Sequence, residues 1–245
     1  MWTPAELSSS ATPYGGEIWR MVESQSRAST LKLTDTLEEQ ALLEEMIEEV
    51  KPPFPKSCDG LHYLLKTPFR YAPYPHGSRF RRAGQSEGVF YAARRIETAV
   101  AELAFYRLLF FRESPGTRLP ARPVEHTAFS VRAKGSAVDL TTPPLDRDRA
   151  RWEDYTDYTA CQDLADQARQ GRVEILIYRS VRDPGGGDNV ALLTPKAFVD
   201  RTYRRQETWQ LFVRPRAVQA IREFPPAALE FAIADFAGDP RVTTS

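Results

Sequence analysis

Apolar residues at three- and four-residue spacing predict three helices in this chain. They cover residues 35–50, 97–111 and 146–170, and Gly171 follows the last of them. The first helix carries six glutamates on the face opposite its apolar positions, which are Leu37, Ala41, Leu42, Met46 and Ile47. That acidic face is expected either to be solvated or to meet a basic partner.

Runs rich in β-branched and aromatic residues predict short strands between and after these helices. The strongest is VEILIY at residues 173–178, and the others are residues 62–65, 88–93, 127–132, 138–140, 189–193, 207–213 and 217–221. Residues 1–17 are rich in Ser, Thr, Pro and Gly, so we expect them to be loosely ordered, with Trp19–Val22 docking as a short segment. This order of elements favours an α+β fold over a doubly wound sheet.

Composition places the chain among globular proteins and leaves its partners open. Its 245 residues are 42% hydrophobic, which suits one large domain or a domain with an N-terminal extension. The formal net charge is zero, so no overall field attracts nucleic acid or an anionic membrane. All but six of the 33 basic residues are arginine, which fits either phosphate binding or a GC-rich genome. Without an apolar span or a signal-peptide pattern, the expected location is the cytoplasm and no membrane contact is expected.

Common cofactor and metal motifs are absent from the sequence. There is no GxGxxG, no GxxxxGK[ST] and no GxSxG, and the Gly185–Gly187 run lies between two predicted strands, as a turn does. Cys58 and Cys161 are too few and too far apart for a metal or disulfide framework. The three histidines have no ligand spacing, so no metal is expected.

Glu102 is the only acid in the apolar run AVAELAFY. On a helix its neighbours are Thr98, Phe105, Tyr106 and Leu109, which are mostly apolar. A carboxylate there must be paired or hydrogen-bonded, or its pKa rises. Glu102 is therefore either a salt-bridged core residue or a site residue that faces a cavity.

Arg79, Tyr91 and Glu102 follow one another at intervals of twelve and eleven residues. A loop, a strand and a helix could bring them to one cleft, where they would suit cleavage of an N-glycosidic bond in a phosphorylated dinucleotide. The arginine would pair with the diphosphate, the ring would stack on the nicotinamide or its ribose, and the carboxylate would stabilise an oxocarbenium-like centre. Taken singly, Tyr91 also fits a core tyrosine and Arg79 a surface ion pair.

A second interpretation is an arginine-rich nucleic-acid-binding module without catalysis. Basic residues interleave with aromatic ones in this region, as in proteins that bind single strands. The residues concerned are Arg70, Arg79, Arg81, Arg82, Arg94 and Arg95, together with Phe69, Tyr71 and Phe80. The rest of the chain is not basic, which weighs against this interpretation.

Several ordered motifs resemble the RES domain family, which is named for its arginine, glutamate and serine and includes toxins of bacterial toxin–antitoxin pairs. They are Gly77-Ser-Arg79-Phe80, Gly88-Val-Phe-Tyr91-Ala-Ala, Thr98-Ala-Val-Ala-Glu102 and Tyr178-Arg-Ser180-Val-Arg182-Asp-Pro-Gly-Gly. The likeness covers roughly residues 60–200. The stretches Trp19-Arg20-Met-Val-Glu-Ser-Gln and Pro68-Phe-Arg70-Tyr71 resemble a longer subgroup of the same family.

The resemblance implies an ADP-ribosyltransferase-like domain over residues 56–245, with two small sheets around an NAD-binding cleft, after an N-terminal extension over residues 1–55 with one amphipathic helix. It implies that NAD+ is consumed as a substrate and that ADP-ribose passes to water, phosphate or a protein target. An antitoxin would plug the cleft, and nucleic acid would be contacted only through that antitoxin.

The family's residue roles carry over to matching positions of this sequence. The resemblance implies that Arg79 holds the NAD phosphates, that Tyr91 stacks in the nicotinamide subsite, that Glu102 is the catalytic acid and that Ser180 is the cleft serine. Arg70, Tyr71 and Arg81 are second-rank candidates, because the match around them is looser.

Overall fold

The structure is a computed structural model that describes residues 2–24, 34–70 and 75–243. The helices are α1 (Pro4–Ser10), α2 (Leu37–Glu49), α3 (Tyr63–Lys66), α4 (Ile96–Glu113), α5 (Arg149–Trp152), α6 (Thr159–Gln170) and α7 (Pro240–Thr243). The strands are β1 (Thr12–Glu23), β2 (Phe90–Ala93), β3 (Val124–Asp139), β4 (Ile175–Arg179), β5 (Asp188–Leu192), β6 (Arg205–Arg214), β7 (Ala217–Arg222) and β8 (Ala227–Ala232). The mixed α and β content is as the sequence predicts.

The strands form one eight-stranded sheet in the order β1-β2-β5-β4-β3-β6-β7-β8, and β1 also pairs with β3. The family resemblance implied two small sheets. The difference comes from β3, which is one 16-residue strand where two short strands were predicted. Its first half pairs with β6 and its last residues pair in parallel with β4, so the same strand belongs to both halves of the sheet.

Residues 2–17 are ordered, and for these described residues the expectation of loose order was wrong. Thr3 accepts a hydrogen bond from the Glu6 backbone N–H, and the Glu6 side chain accepts from the Thr3 backbone, so the two residues cap α1. Leu7 is fully buried. Strand β1 then pairs with β3 along its whole length, from Thr12 to Glu23. The polar composition of this region supplies a helix cap and a strand rather than a flexible tail.

Helix α2 forms where the sequence predicts it, but it does not pack on the core. Thr36 and Glu39 make a capping box at its start, and no residue of the helix is buried. Leu42 and Met46 are 58% and 56% exposed. An apolar stripe at helical spacing therefore predicted the helix correctly, and the spacing says nothing about what covers that stripe.

Two other predicted elements differ in the structure. Residues 62–65, predicted as a strand, begin helix α3, where the His62 ring nitrogen Nδ1 accepts a hydrogen bond from the Leu64 N–H. The predicted helix over residues 146–170 is interrupted between α5 and α6. There the Asp154 carboxylate accepts the backbone N–H groups of Thr156 and Asp157. Such side-chain turns compete with helical hydrogen bonds.

Helix α4 is the element that positions the cavity described below. Val100, Ala101, Ala104 and Phe105 are fully buried, and α4 lies against β1, β2, β5 and β7. Its remaining side, which carries Glu102, is open enough to border a cavity. Among the helices in the described part of the chain, none is long and apolar enough to cross a membrane.

Candidate active site

A cavity of about 520 Å³ opens between α4, the strands β1, β2, β4 and β5, and the loop that precedes β2. The three ordered candidates Arg79, Tyr91 and Glu102 all border it. The other lining residues are Trp19, Arg20, Met21, Gly77, Ser78, Ala92, Ala93, Ala99, Leu103, Tyr106, Tyr158, Tyr178, Val181, Arg182, Asn189 and Arg241. The wall thus combines aromatic rings and guanidinium groups with a single carboxylate.

The carboxylate of Glu102 is held by two neutral donors. Its Oε1 accepts a hydrogen bond from the Ser180 hydroxyl and another from the Asn189 side-chain amide, each at 2.6 Å. Within the described ranges of the chain, no side chain makes an ion pair with Glu102 and no group donates to its Oε2. The alternative of a salt-bridged core residue is therefore not what the structure shows. One oxygen is fixed by the protein and the other is available at the cavity.

Ser180 is itself oriented by the turn that follows β4. Its hydroxyl oxygen accepts the backbone N–H groups of Arg182 and Asp183, at 3.2 and 3.1 Å, while its proton goes to Glu102. The Asp183 carboxylate accepts from the Thr98 hydroxyl on α4 at 2.7 Å. A Cβ at Gly187 would lie 2.0 Å from that hydroxyl, so only glycine fits there. The glycine-rich turn thus fastens Ser180 to the helix that carries Glu102.

Arg79 is a buried residue of the cavity wall. Its two terminal nitrogens donate to the carbonyl oxygens of Trp152 and Asp154, and its guanidinium lies over the Tyr158 ring at 4.6 Å. Arg79 makes no surface ion pair with the residues that the structure describes, and it is only 8% exposed. Arg79 therefore fixes the segment between α5 and α6 while placing a positive charge at the cavity.

Tyr91 joins the strand β2 to the loop that carries Arg79. Its hydroxyl accepts a hydrogen bond from the Phe80 N–H at 2.9 Å and lies 2.8 Å from the Ser78 hydroxyl. Burial raises the pKa of the Tyr91 hydroxyl, so it stays protonated near neutral pH. The ring borders the cavity, and the hydroxyl anchors the two residues on either side of Arg79.

The further candidates do not join this cluster. Arg70 pairs with Glu48 of α2 and lies over the Phe54 ring. Arg81 donates to the Gln85 carbonyl oxygen within its own loop. Neither residue borders the cavity. Tyr71 lies outside the described residues, so its predicted role stays a prediction.

The arginines on which the nucleic-acid interpretation depends have partners inside the protein. Arg82 pairs with Asp163 and Asp166 of α6, and Arg94 and Arg95 pair with Asp188 and Asp183. Arg70, Arg79 and Arg81 also have partners within the protein. These six arginines therefore do not form a row of unpaired positive charges. The arrangement gives no support to a nucleic-acid groove at this position.

The cavity residues that were not identified as site residues from the sequence include Arg20, Arg182, Asn189 and Arg241. Arg20 donates to the Tyr91 carbonyl oxygen, and burial lowers its pKa to about 10, so it remains charged at neutral pH. Asn189 is the second residue of β5 and is 3% exposed, and an amide at the start of a predicted strand was the available signal for it. Arg182 lies in the motif that carries Ser180 but was given no role, and Arg241 had no such signal, because its partner Asp239 lies in the last turns of the chain.

Metal ligands do not gather in the described residues: no group of three or more His, Cys, Asp or Glu could hold a metal ion there.

Comparisons with known proteins bear on the family and the fold. A family model described as the RES domain matches residues 55–213. A crystal structure of the M. tuberculosis MbcT–MbcA toxin–antitoxin complex contains a chain that superposes with a TM-score of 0.52 at 10% identity. The match covers 85% of this chain and 91% of that chain. At such low identity it indicates a shared fold and nothing further. No curated protein matches the chain.

Proposed function

The chain belongs to the RES domain family, whose model matches residues 55–213, and from this membership we propose that it is the toxin of a toxin–antitoxin pair and consumes NAD+. The observation that carries the proposal is Glu102, a carboxylate held through one oxygen by Ser180 and Asn189 at the wall of a cavity. Arg79 and Glu102 border the cavity and Ser180 donates to Glu102, which supports assigning them as the family's arginine, glutamate and serine.

The size and lining of the cavity suit a dinucleotide. Its 520 Å³ falls within the roughly 300–1,000 Å³ of small-molecule sites. Aromatic rings such as Tyr91 and Tyr158 can stack on the nicotinamide and adenine groups, and the positive charge of Arg79 favours the diphosphate.

The proposed reaction breaks the bond between the nicotinamide nitrogen and the ribose carbon C1′. The bonding electron pair goes to the nicotinamide ring and cancels its positive charge, and positive charge develops on the ribose. The Glu102 carboxylate stabilises that charge from the wall of a partly enclosed cavity, where such interactions are stronger than in open water. Ser180 and Asn189 fix Oε1, so no reorientation of the carboxylate is needed in the transition state.

An acceptor then forms a bond to C1′ and loses a proton. The free Oε2 of Glu102 can take that proton or orient the acceptor, since it has no donor among the residues described. Water as acceptor would give ADP-ribose, phosphate would give its phosphorylated form, and a protein side chain would become ADP-ribosylated. All three remain compatible with the cavity.

A cognate antitoxin is the proposed protein partner. By covering the cavity it would keep NAD+ from Glu102, and nucleic acid would be contacted only through it. The MbcT–MbcA complex supports this proposal, because a protein with the same fold forms a toxin–antitoxin complex.

The test is to incubate pure protein with NAD+, with and without phosphate and cell lysate, and to separate all products that contain ADP-ribose. We expect loss of NAD+ and release of nicotinamide, with Glu102→Gln protein as the inactive control. Free ADP-ribose, a phosphorylated product and a modified protein band would each identify a different acceptor. Folded wild-type protein that leaves NAD+ intact in every mixture, and binds nucleic acid in a salt-sensitive way, would favour the alternative function.

Tyr91→Phe should keep more activity than Tyr91→Ala. The ring is retained in the Phe variant, and the lost hydroxyl costs its hydrogen bonds to Ser78 and Phe80, about 1 kcal/mol or roughly a fivefold fall in kcat/KM. The Ala variant also loses the stacking surface, so its kcat/KM should be at least about tenfold lower than that of the Phe variant. The measurement is kcat/KM for NAD+ together with the melting temperature.

Tyr63→Phe on α3 is the matched control, because Tyr63 is 47% exposed and does not border the cavity. It should leave kcat/KM unchanged. If a folded Tyr91→Phe variant were as inactive as Tyr91→Ala, the hydroxyl would have a chemical role and the stacking assignment would be wrong.

A further inference from the structure

The last described helix, α7, contributes a guanidinium group to the cavity. We propose that Arg241 binds a phosphate of the substrate diphosphate and that Asp239 and Arg182 position it for this role. The inference rests on the proposed function and adds a residue outside the segment, residues 55–213, that matches the family.

Arg241 is held in a fixed orientation at the cavity wall. Its Nε and Nη2 donate to the two oxygens of Asp239, at 3.0 and 2.7 Å, and Nη2 also donates to the Tyr155 carbonyl oxygen at 3.1 Å. The side chain keeps 30% of its surface exposed. A guanidinium oriented in this way loses little further conformational freedom on binding an anion.

The cluster around Asp239 carries more positive than negative charge. Arg182 also pairs with Asp239, at 2.9 Å, and both of these side chains are almost fully buried. Burial raises the pKa of Asp239, but the hydrogen bonds from Arg241 and the charge of Arg182 outweigh it and hold that pKa below its ordinary value. Asp239 is therefore ionised at neutral pH, and one negative charge faces two positive ones. The excess charge lies on Arg241, the exposed member.

The Arg182 side chain pairs with Asp239 but leaves some of its own hydrogen-bond donors unpaired in the described part of the chain. Its Nε and Nη1 are buried without a partner among the described residues. Unpaired buried donors are destabilising, and such costs are tolerated mainly where function requires them. The backbone N–H of Arg182 donates to the hydroxyl of Ser180, which donates to Glu102. The residue that pairs with Asp239 is thus linked to the proposed catalytic carboxylate through Ser180.

Tyr158 lies between this cluster and Arg79. The Arg79 guanidinium lies over the Tyr158 ring at 4.6 Å, and the Tyr158 hydroxyl accepts from Arg182 at 3.3 Å. Tyr158 thus contacts Arg79 through its ring and Arg182 through its hydroxyl, and the guanidinium-bearing residues Arg79 and Arg241 both border the cavity. A diphosphate has two adjacent charged groups, and this arrangement offers a cation to each of them.

The test measures binding without turnover, using ADP as the diphosphate probe and adenosine as the uncharged control in titration calorimetry. We expect Arg241→Gln to weaken ADP binding at least about tenfold and to leave adenosine binding unchanged. The ADP affinity of Arg241→Lys should lie between those of the wild type and Arg241→Gln. In kinetic assays Arg241→Gln should raise KM for NAD+ more than it lowers kcat. Arg216→Gln, an exposed arginine outside the cavity, is the matched control.

The outcomes separate this inference from the proposed function. Unchanged ADP affinity in a folded Arg241→Gln variant overturns the role of Arg241 and leaves NAD+ consumption untouched. Equal weakening of ADP and adenosine, with a lower melting temperature, also overturns it, because it identifies a structural role. Wild-type protein that binds ADP through Arg241 but does not consume NAD+ would support the inference and overturn the proposed reaction.

Discussion

Arg79→Lys is expected to lower kcat/KM for NAD+ by about two orders of magnitude although the charge is kept. In the structure the two terminal nitrogens of Arg79 donate to different carbonyl oxygens, those of Trp152 and Asp154. A lysine ammonium is a compact charge that cannot reproduce this fork. A hydrogen bond from a charged group is worth about 1.5–3 kcal/mol, and each 1.36 kcal/mol is a tenfold change in rate.

The prediction has two separable parts, because Arg79 holds the cavity wall through its hydrogen bonds and also places a positive charge at the cavity. Loss of wall support should lower the melting temperature by a few degrees. Loss of the phosphate contact should weaken ADP binding while adenosine binding persists. We expect both changes. A melting shift with unchanged ADP affinity would show that Arg79 only positions the segment that leads to Tyr158.

Arg82→Lys is the matched control, since Arg82 lies in the same loop but pairs with Asp163 and Asp166 at the surface. Surface ion pairs contribute little to stability, so this variant should keep kcat/KM within about twofold. A fully active Arg79→Lys variant with unchanged KM would remove Arg79 from the site.

The sequence predicted those parts of the site that local patterns determine. The runs at residues 88–93 and 97–111 form β2 and α4, and they bring Tyr91 and Glu102 to one cavity. The stretch YRSVRDPGG forms the turn after β4, and its Ser180 reaches Glu102. Each of these elements has a strong periodicity or turn signal of its own. The resemblance to a family then indicated that their residues act together.

What the sequence missed depends on contacts between distant residues. Arg241 reaches the cavity only because β6, β7 and β8 extend the sheet and return the chain to α4. Strand β1 was missed because its Thr, Pro and Gly residues are typical of loops, and only pairing with β3 makes them a strand. The sequence predicted helix α2 but did not show what its apolar stripe meets, and the stripe is exposed, since periodicity does not show which surface a helix contacts.

Glu102→Gln is expected to abolish NAD+ consumption without destabilising the protein. Glutamine keeps the shape of the side chain and retains an oxygen that can accept from Ser180 and Asn189, as Oε1 does now. No ion pair is broken, because the structure gives Glu102 none within the residues it describes. The melting temperature should therefore be unchanged or raised, since active-site charges are often kept at a cost to stability.

The loss of activity follows from the charge that is removed. A neutral amide cannot stabilise positive charge on the ribose as a carboxylate does, nor can it take a proton from the acceptor. Removal of one preorganised electrostatic group typically costs about 10²–10³ in kcat, and here one residue supplies both effects, so we expect a fall of about 10³ or more. Expression without the antitoxin should then no longer be toxic.

Glu97→Gln is the matched control for this substitution, because Glu97 is an exposed glutamate in the first turn of the same helix. It should leave NAD+ consumption and toxicity at the wild-type level. A fall in stability of several kcal/mol in Glu102→Gln would instead indicate a buried ion pair with a residue not described by the structure. Wild-type rates of NAD+ consumption in folded Glu102→Gln protein would contradict the proposed mechanism, because no other carboxylate borders the cavity among the described residues.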